Sequence, residues 1–390
     1  MKDVYILSCG QIPVAKYPQD NIATLGSRAV TQALNNAQVP PEDVGALYAG
    51  NMMSGQLSHQ QLVATLIANH SGMTGCEAIT AEGACGSGAA AMRLGYQAIA
   101  SDSHKCVVVC GVEHVTHAPR EEVTQALATA SCWEHEGGQG ETFLTLNAHV
   151  MQQYMEKYHV GPEVFAPFAI NAHNNAIKNP RAMLQKKIDT QTYLNSKIIS
   201  APIKLYDAPP ICDGAAALVL VNKDMALAAK KAGIDCVKVT GSAVASDHLR
   251  LSNRQDLLTL EGAKKSFLKA YAQSQLTPAD IDLFEPHDAY TIMTVLSLEA
   301  AGFSDYGCGH QLADEGVIAL DGDIPITTLG GLKSRGHPVG ATGVYQLAEC
   351  FEQLTEQAGD NQVANARIAM AQNLGGAGSV AFTHILQQES

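Results

Sequence analysis

The stretch TAEGACGSGAAAM, residues 80–92, places one thiol where an extended segment turns into a helix. The residues that follow, GSGAAAMRLGYQAIA, have the 3.6-residue spacing of a buried, alanine-rich helix. Cys85 therefore falls at a helix N-terminus, where free N–H groups and the helix dipole are expected to lower the pKa of its thiol and make it a nucleophile. The alternative is a residue that only fills space, because free cysteine is among the most buried residue types.

Outward from that stretch, short apolar runs alternate with longer helical stretches, a pattern typical of sheets covered by helices. CVVVCGVE, residues 106–113, is apolar enough for a strand buried on both faces. PPEDVGALYAGNMMSG (40–55) and TPADIDLFEPHDAY (277–290) each run from a Pro/acid turn into a strand, and each follows a helix of similar character. We therefore predict an α/β protein built from two similar halves.

The segment 117–205 departs from this alternation, since it is rich in His, Gln, Met, Asn and Lys and contains the basic cluster KNPRAMLQKK at 178–187. It predicts an insertion that lies over one half and takes part in gripping a ligand. The predicted divisions are a first half at 1–116 plus 206–235, the inserted loop domain at 117–205 and a second half at 236–390.

Composition narrows the function classes. The chain has 390 residues, of which 46% are hydrophobic, within the range of globular proteins. Its 38 acidic and 25 basic residues give a formal charge of −13, which disfavours nucleic acid or an anionic membrane as partners. The ten cysteines include no CxxC pair and the histidines no HExxH spacing, so we expect free thiols and no metal. Without a targeting signal or a run long enough to cross a bilayer, a cytoplasmic protein is expected.

Two further segments carry histidines in turns. GGLKSRGHPVGATG (330–343) predicts a glycine-rich loop followed by a helix, and an imidazole at His337 suits deprotonation of a thiol or binding of a thioester oxygen. EPHDAYT (285–291) brings His287 to the start of another helix, where the plain alternative is that Asp288 caps the helix.

A fourth segment, QNLGGAGS (372–379), is a glycine-rich turn between two predicted strands, and its backbone N–H groups suit half of an oxyanion hole. One activated cysteine, two histidines in turns and N–H donors together are the components of acyl transfer through a covalent thioester. The combination indicates this chemistry more strongly than any single segment does.

At these residues the chain resembles the thiolases, along essentially its whole length. The matching segments are the start VYILSCGQIPVAKY, the Cys85 segment, GETF (140–143), LYDAPPICDGAAALVLVN (205–222), EPHDAYT, GGLKSRGHPVGATG and NLGGAGS. HDAY, in place of the NEAF of the main enzymes, is similar to the sterol-carrier-protein type and the archaeal acetoacetyl-CoA branch of the family. The resemblance implies two mixed five-stranded sheets in an αβαβα layering, a loop domain that binds coenzyme A, a homodimer or homotetramer, and acetyl-CoA acetyltransferase activity in lipid metabolism.

The resemblance also implies roles for single residues. Cys85 would take the acyl group, and His337 would activate Cys85 and, together with His287, bind the thioester oxygen of the second substrate. The backbone N–H groups of Cys85 and Gly375 would form the other oxyanion hole. Coenzyme A would be a substrate, and no cofactor would be bound permanently.

Contacts to the phosphates of coenzyme A are predicted from charge, because Arg and Lys suit its nucleotide end. The basic cluster is explained equally well as a solvated helix face. The candidate contacts are Arg181, Lys186 and Lys187 for the phosphates and Ser242, in GSAVAS, for the pantetheine arm.

One departure from the thiolase pattern bears on the mechanism. Thiolases usually need a second cysteine, which removes or returns the α-proton of the acetyl group. At its two usual positions this chain has Ala289, in HDAY, and Asn373, in NLG. Neither side chain exchanges a proton at neutral pH. The second proton transfer is therefore left without its usual carrier.

Three interpretations follow from that departure. In the first, another group such as His287, Tyr290 or Cys308 serves as acid or base in an otherwise ordinary thiolase. In the second, the enzyme is a retro-aldolase or specialised acyltransferase that needs no such transfer and works with a small zinc-ribbon and OB-fold partner protein. In the third, the protein binds acyl-CoA without catalysis. We favour them in that order, because a pure binding module does not need Cys85 and both turn histidines.

Overall fold

A large sheet runs through the computed structural model, which describes residues 2–389. Its nine strands stand in the order β3-β2-β4-β7-β1-β8-β11-β10-β9, and two short strands, β5 and β6, pair separately. The strands are β1 (Val4–Gln11), β2 (Ala46–Gly50), β3 (Glu77–Ala81), β4 (Cys106–Glu113), β5 (Ile198–Ser200), β6 (Ile203–Lys204), β7 (Gly214–Asn222), β8 (Val237–Ser246), β9 (Leu283–Glu285), β10 (Ile368–Gly375) and β11 (Val380–Gln388).

Helices occupy both faces of this sheet and the segment between β4 and β7. Short 3₁₀ turns, among them Ala84–Gly86 and Val339–Ala341, precede several of them. The α-helices are α1 (Ile22–Ala37), α2 (Ser54–Leu57), α3 (Val63–His70), α4 (Ser87–Ala100), α5 (Arg120–Ala128), α6 (Phe143–Tyr158), α7 (Ala166–Lys178), α8 (Thr190–Leu194), α9 (Lys223–Lys231), α10 (Glu261–Ser274), α11 (Thr291–Ala301), α12 (Gln311–Asp314) and α13 (Thr342–Leu354).

The sheet consists of two halves with the same plan, which confirms the predicted duplication. In the first half β3, β2 and β4 run parallel, and β7 and β1 follow antiparallel. In the second half β9 and β10 run parallel, and β11 and β8 follow antiparallel. The turns Pro41–Asp43 and Pro278–Asp280 lead into the equivalent strands β2 and β9. The halves meet where β1 pairs with β8 through two residues of each strand.

The second half differs from the five-stranded sheet that the thiolase resemblance implies. Its fifth position holds an isolated parallel bridge between Phe284 and Ile326 in place of a strand. The next residue, Thr327, has φ at +47°, a left-handed conformation that a strand does not contain. The extended segment therefore ends as soon as it reaches the sheet edge.

The helices complete an αβαβα layering, as expected for this fold class. Helices α1 and α3 pack on the outer face of the first half, and α10 packs on β8 and β11 of the second. Helices α4 and α13 lie between the halves and share one apolar core with both. Helix α13 is buried along its whole length, and a Cβ on Gly88 of α4 would lie 3.0 Å from the backbone nitrogen of Val344. This close approach of the two central helices brings their N-termini together.

The segment between β4 and β7 packs over the second half. Apolar residues of α6 and α7, such as Tyr154 and Phe168, belong to the same core as Phe284 and Ile292. The insertion therefore covers the region where β9 ends and α11 begins. Within residues 2–389, none of the helices combines the length and the apolar character needed to cross a membrane.

Candidate active site

Cys85, His287 and His337 come together in one cavity, although they lie on three separate turns. Cys85 lies in the 3₁₀ turn ahead of α4, His287 follows β9, and His337 precedes the turn into α13. The Cys85 sulfur and one ring nitrogen of each histidine all lie within 4.8 Å of one another. The two imidazole rings are 5.1 Å apart and inclined at 81°. The first half of the fold thus supplies the thiol and the second half supplies both histidines.

The cavity around this group has a volume of about 580 Å³ and a mostly apolar lining. On one side it follows α5, whose residues 120, 123, 124 and 127 face it at helical spacing. On another side it opens past the half-buried Phe143 and the exposed Leu205. A cavity of this kind suits a ligand with a long apolar part and few polar contacts.

Burial controls the resting state of the thiol. Cys85 is 8% exposed, and its burial, assisted by the nearby Glu113 carboxylate, raises its pKa to about 12. The expected lowering of this pKa by the helix N-terminus is wrong, because desolvation of a thiolate outweighs the helix dipole at this depth. Cys85 therefore rests as a thiol and needs a base to become a nucleophile.

His337 is fixed by contacts on both sides of its turn. Its Nδ1 lies 2.6 Å from Thr342 Oγ1, and its backbone N–H donates to the Cys212 sulfur at 3.2 Å. Burial holds the pKa of His337 well below its ordinary value, with further lowering from His287 and Arg335. The ring is therefore neutral at physiological pH and carries a lone pair on one nitrogen.

His287 is held in place by Asn373, which stands at one of the two positions where thiolases usually have their second cysteine. Asn373 Nδ2 lies 2.9 Å from His287 Nδ1, and the backbone N–H of His287 faces Gln372 Oε1 at 3.4 Å. Burial lowers the pKa of His287 to about 3, although Asp288 acts in the opposite direction. This ring is also neutral at physiological pH.

A buried ion pair supports the turn that carries His287. Lys333 Nζ lies 2.8 Å from Asp288 Oδ2 and also donates to the Asp288 carbonyl oxygen, and both side chains are at most 1% exposed. Asp288 Oδ1 accepts the backbone N–H of Leu332 at 2.7 Å. Gly331, with φ at +56°, passes so close to this carboxylate that a Cβ there would lie 2.5 Å from Asp288 Oδ2. Asp288 therefore ties the HDAY turn to the loop that leads to His337.

Glu113, which the sequence did not single out, holds two further turns of the site. This fully buried carboxylate at the end of β4 accepts the backbone N–H groups of Met52, Met53 and Gly340 at 3.0–3.2 Å, and the side chain of Asn51 at 3.0 Å. Burial raises its pKa to about 7. A buried acid at the end of a strand of apolar residues was the signal in CVVVCGVE that could have identified it.

The remaining candidates for proton transfer differ in their positions. Ala289 and Tyr290 line the cavity, and burial raises the pKa of the Tyr290 hydroxyl above its ordinary value. Cys308 lies in the loop after α11, outside the residues that line the cavity. Gly375 ends β10 next to the Cys85 turn, where a Cβ on Gly86 would lie 3.4 Å from the Gly375 nitrogen.

The candidate contacts to coenzyme A do not cluster around one place in the structure. Lys186 is exposed and lines the cavity, whereas Lys187 is exposed outside the lining. Arg181 forms an ion pair with Glu352. Ser242 is buried within β8, where its backbone N–H donates to Gln273. Of the four residues, the structure brings Lys186 to the cavity.

Comparison with known proteins identifies the family of the chain. Residues 4–224 match the family model of the thiolase N-terminal domain, and residues 243–388 match the thiolase C-terminal domain-like model. An acetyl-CoA acetyltransferase of Methanothermobacter thermautotrophicus is 37% identical over 388 residues, and one of Methanocaldococcus jannaschii is 32% identical over 406 residues; each alignment covers 100% of both chains. These archaeal relatives belong to the branch that HDAY predicts.

Among solved structures, the chain is similar to the Ltp2-ChsH2(DUF35) aldolase, with a TM-score of 0.85 and 20% identity over 99% of this chain and 98% of that chain. At this identity the likeness concerns the fold. The two family models cover nearly the whole sequence, so the chain belongs to the thiolase family.

Proposed function

We propose that this protein is an acyl-CoA C-acyltransferase that reversibly cleaves and forms 3-oxoacyl-CoA through an S-acyl-Cys85 intermediate. The observation that carries the proposal is the meeting of the Cys85 sulfur with one nitrogen of each histidine within 4.8 Å, inside a cavity that opens to the surface. A neutral imidazole beside a protonated thiol is placed to take the proton as the sulfur attacks.

The rest of the site supplies what a thioester reaction needs. In the acylation step, the carbonyl oxygen of the substrate becomes negatively charged, and the backbone N–H groups of Cys85 and Gly375 are the proposed donors to it. His287 is the proposed partner of the second thioester oxygen, and His337 is the proposed base. The mostly apolar lining offers few polar groups that would hold a hydrolytic water beside the S-acyl intermediate.

Coenzyme A is the proposed carrier of both substrates. Lys186 is the proposed contact for its phosphates, because this exposed cation lies at the cavity. The apolar lining between Phe143 and Leu205 is the proposed path of the pantetheine arm. We further propose a cytoplasmic homo-oligomer, a dimer or tetramer, in which no cofactor is permanently bound.

The missing second thiol supports a second candidate, a retro-aldolase that works with a small zinc-ribbon and OB-fold protein. The relevant observation is that Ala289 and Asn373 stand at the two positions where that thiol is usually found. The fold neighbour, an aldolase named together with a DUF35 component, makes the same pairing worth testing. This candidate predicts turnover of a 3-hydroxyacyl-CoA that survives Cys85→Ala.

Mass spectrometry of the intact protein tests the main proposal. Incubation with acetoacetyl-CoA is expected to add one acetyl group to the peptide that contains Cys85, and addition of coenzyme A is expected to remove it. Cys85→Ala should give no adduct and no thiolysis, whereas Cys236→Ala, at a half-buried thiol outside the cavity, should behave as the wild type. Absence of any adduct and of thiolysis in the wild type would refute the proposal.

A further inference from the structure

We propose that His337 is the single base of the reaction and that Asn373 holds His287 as a hydrogen-bond donor, so that the enzyme works without a second thiol. This inference rests on the proposed function and specifies its proton transfers. It assigns opposite tautomers to the two histidines, and each assignment follows from a partner whose direction of hydrogen bonding is fixed by its chemistry or by a second contact.

The tautomer of His337 follows from Thr342. The Thr342 hydroxyl lies 3.0 Å from the carbonyl oxygen of Pro338 and 2.6 Å from His337 Nδ1. A carbonyl oxygen accepts hydrogen bonds and cannot donate them, so the Thr342 hydroxyl donates its single proton to the Pro338 carbonyl oxygen. Both contacts are satisfied together when His337 Nδ1–H donates a hydrogen bond to Thr342 Oγ1. The lone pair of His337 is then on Nε2.

The tautomer of His287 is opposite. The amide nitrogen of Asn373 carries two protons and no free lone pair, so at 2.9 Å it donates to His287 Nδ1. Nδ1 is thereby an acceptor, and the ring proton of His287 resides on Nε2. Asn373 is 2% exposed and His287 is 3% exposed, so water does not compete for this bond. His287 accordingly offers an N–H, and His337 a lone pair, to a ligand in the cavity.

This pair of tautomers accounts for the first half-reaction. His337 Nε2 takes the proton of the Cys85 thiol as the sulfur attacks the thioester carbonyl carbon. When the bond between that carbon and the coenzyme A sulfur breaks, the electron pair leaves on the coenzyme A sulfur, which receives the proton from His337. Free coenzyme A departs, and His337 is neutral again with its lone pair restored.

The same nitrogen is then available for the second half-reaction. The incoming acetyl-CoA accepts a hydrogen bond from His287 Nε2–H on its thioester oxygen, and His337 Nε2 takes a proton from its α-carbon. The resulting enolate carbon attacks the acyl carbon on Cys85, a carbon–carbon bond forms and the Cys85–carbon bond breaks. The Cys85 sulfur recovers its proton from His337, so two acyl-CoA molecules yield one 3-oxoacyl-CoA and one coenzyme A.

Burial keeps both rings neutral, as this division of roles requires. Burial and the cations Lys333 and Arg335 lower the pKa of His287, Asp288 raises it, and the net result keeps His287 neutral. The rival base Tyr290 lines the cavity, but its raised pKa leaves it protonated at neutral pH. The second rival, Cys308, lies outside the lining of the cavity.

Exchange of the α-protons isolates the second proton transfer from acylation. Cys85→Ala incubated with acetyl-CoA in D₂O is expected to incorporate deuterium into the acetyl group, because His337 is intact. Cys85→Ala/His337→Gln is expected to lose this exchange by ~10²-fold or more, the usual contribution of a general base. The companion variant Cys85→Ala/Tyr290→Phe tests the rival base directly.

The outcomes separate this inference from the proposed function. Exchange that persists in the His337→Gln double variant, or that is lost with Tyr290→Phe and kept with His337→Gln, overturns the single-base assignment even when the wild type forms its S-acetyl adduct. A wild type with neither adduct nor thiolysis overturns both. Native circular dichroism and an unchanged unfolding midpoint show that a variant is folded.

Asn373→Asp tests the tautomer of His287. The new carboxylate has the same shape but only accepts, so it is expected to draw the ring proton to Nδ1, remove the donor at Nε2 and lower kcat for condensation by ~10²-fold, as loss of an oxyanion donor does. In ¹⁵N-histidine-labelled protein, His287 is expected to change from the Nε2–H to the Nδ1–H pattern. A wild type with Nδ1–H, or an Asn373→Asp variant with full activity, overturns the assignment.

Discussion

His337 Nδ1 lies 2.6 Å from Thr342 Oγ1, so the first residue of α13 orients the imidazole that faces the nucleophile. Thr342→Val keeps the branched shape and removes the hydroxyl, which leaves the His337 ring free to rotate and to change tautomer. We expect kcat/KM for thiolysis to fall by ~10–10²-fold, within the range for loss of the residue that orients a base.

Thr342→Ser is the matched variant, since it returns the hydroxyl without the methyl group. It is expected to recover most of the activity lost in Thr342→Val, while both variants unfold at similar denaturant concentrations. Equal activity of Thr342→Val and the wild type would show that the hydroxyl does not orient His337.

Ala289→Cys introduces a thiol at one of the two positions where thiolases usually have their second cysteine. Ala289 lines the cavity and is 8% exposed, so the new sulfur would face the substrate. If His337 already performs both proton transfers, thiolysis of acetoacetyl-CoA should change far less than the ~10²-fold that replacement of a missing general base would give. Steady-state rates of the two proteins, measured side by side, decide between these results.

The face of α5 that lines the cavity predicts which acyl groups are accepted. Residues 120 to 127 span about 10 Å at 1.5 Å per residue, so this wall, whose apolar residues are Val123 and Leu127, is much longer than an acetyl group. We expect medium-chain 3-oxoacyl-CoA to react faster than acetoacetyl-CoA, by a factor of up to about four for each methylene that packs against the wall.

Leu127→Trp is expected to fill this part of the cavity and to reverse that preference without loss of acetoacetyl-CoA thiolysis. Gln125→Trp, on the exposed face of the same helix, is the control and should keep the wild-type order. A rise in the KM for coenzyme A with every acyl group would instead mean that the pantetheine arm lies along α5.

The buried Lys333–Asp288 pair predicts a large stability effect. Lys333→Met removes the cation and leaves the Asp288 carboxylate, which is fully buried, without its charged partner. We expect the free energy of unfolding to fall by about 3–5 kcal/mol, as found when one member of a buried pair is removed. Urea denaturation measures this change, and Lys333→Met/Asp288→Asn should lose less than Lys333→Met alone. A single variant as stable as the wild type would contradict the assignment.

Buried carboxyl groups predict how stability changes with pH. Burial and the neighbouring Glu349 raise the pKa of Glu285, so the folded protein keeps a proton that the unfolded chain loses near its ordinary pKa of ~4.3. Folding stability from this group is therefore highest at acid pH and declines as pH rises through neutrality, by at most ~1.4 kcal/mol per pH unit.

Glu285→Gln removes that proton linkage and keeps an oxygen to accept from the backbone and hydroxyl of Thr328. The variant and the wild type should be similarly stable near pH 4.5, and the variant should gain relative stability as pH increases toward 8. Urea denaturation across this range measures the difference. A stability difference that does not vary with pH would mean that Glu285 ionises normally.

Local patterns were sufficient to predict the parts of the site that single segments carry. Cys85 before a small-residue helix, His287 at the start of α11 and His337 in a glycine-rich turn were all identified from their neighbours in the sequence. The two-half architecture was predicted in the same way, from the repeated Pro/acid turn ahead of β2 and β9. These features depend on residues close together in the chain, which sequence patterns record directly.

Long-range contacts were out of reach of the same reasoning. The sequence shows that Asn373 stands where other thiolases have a cysteine, but its hydrogen bond joins it to His287, 86 positions away. Glu113 and Gly340, which are also hydrogen-bonded, are 227 positions apart. Arg181 was a candidate for phosphate binding, and its pairing with Glu352 across 171 positions shows another use for its charge. The raised pKa of Cys85 likewise depends on how deeply the fold buries it, which the helix-start pattern does not reveal.

The contact between α4 and α13 makes activity depend on how the two halves dock. Gly88 lies against the backbone of Gly340 and Val344, and the first half supplies the thiol whereas the second half supplies both imidazoles. Neither half holds a working site by itself, so a polypeptide that has folded only its first half is inert toward thioesters. Thiolysis therefore reports completion of folding, and fragments split between the halves would regain it only on reassociation.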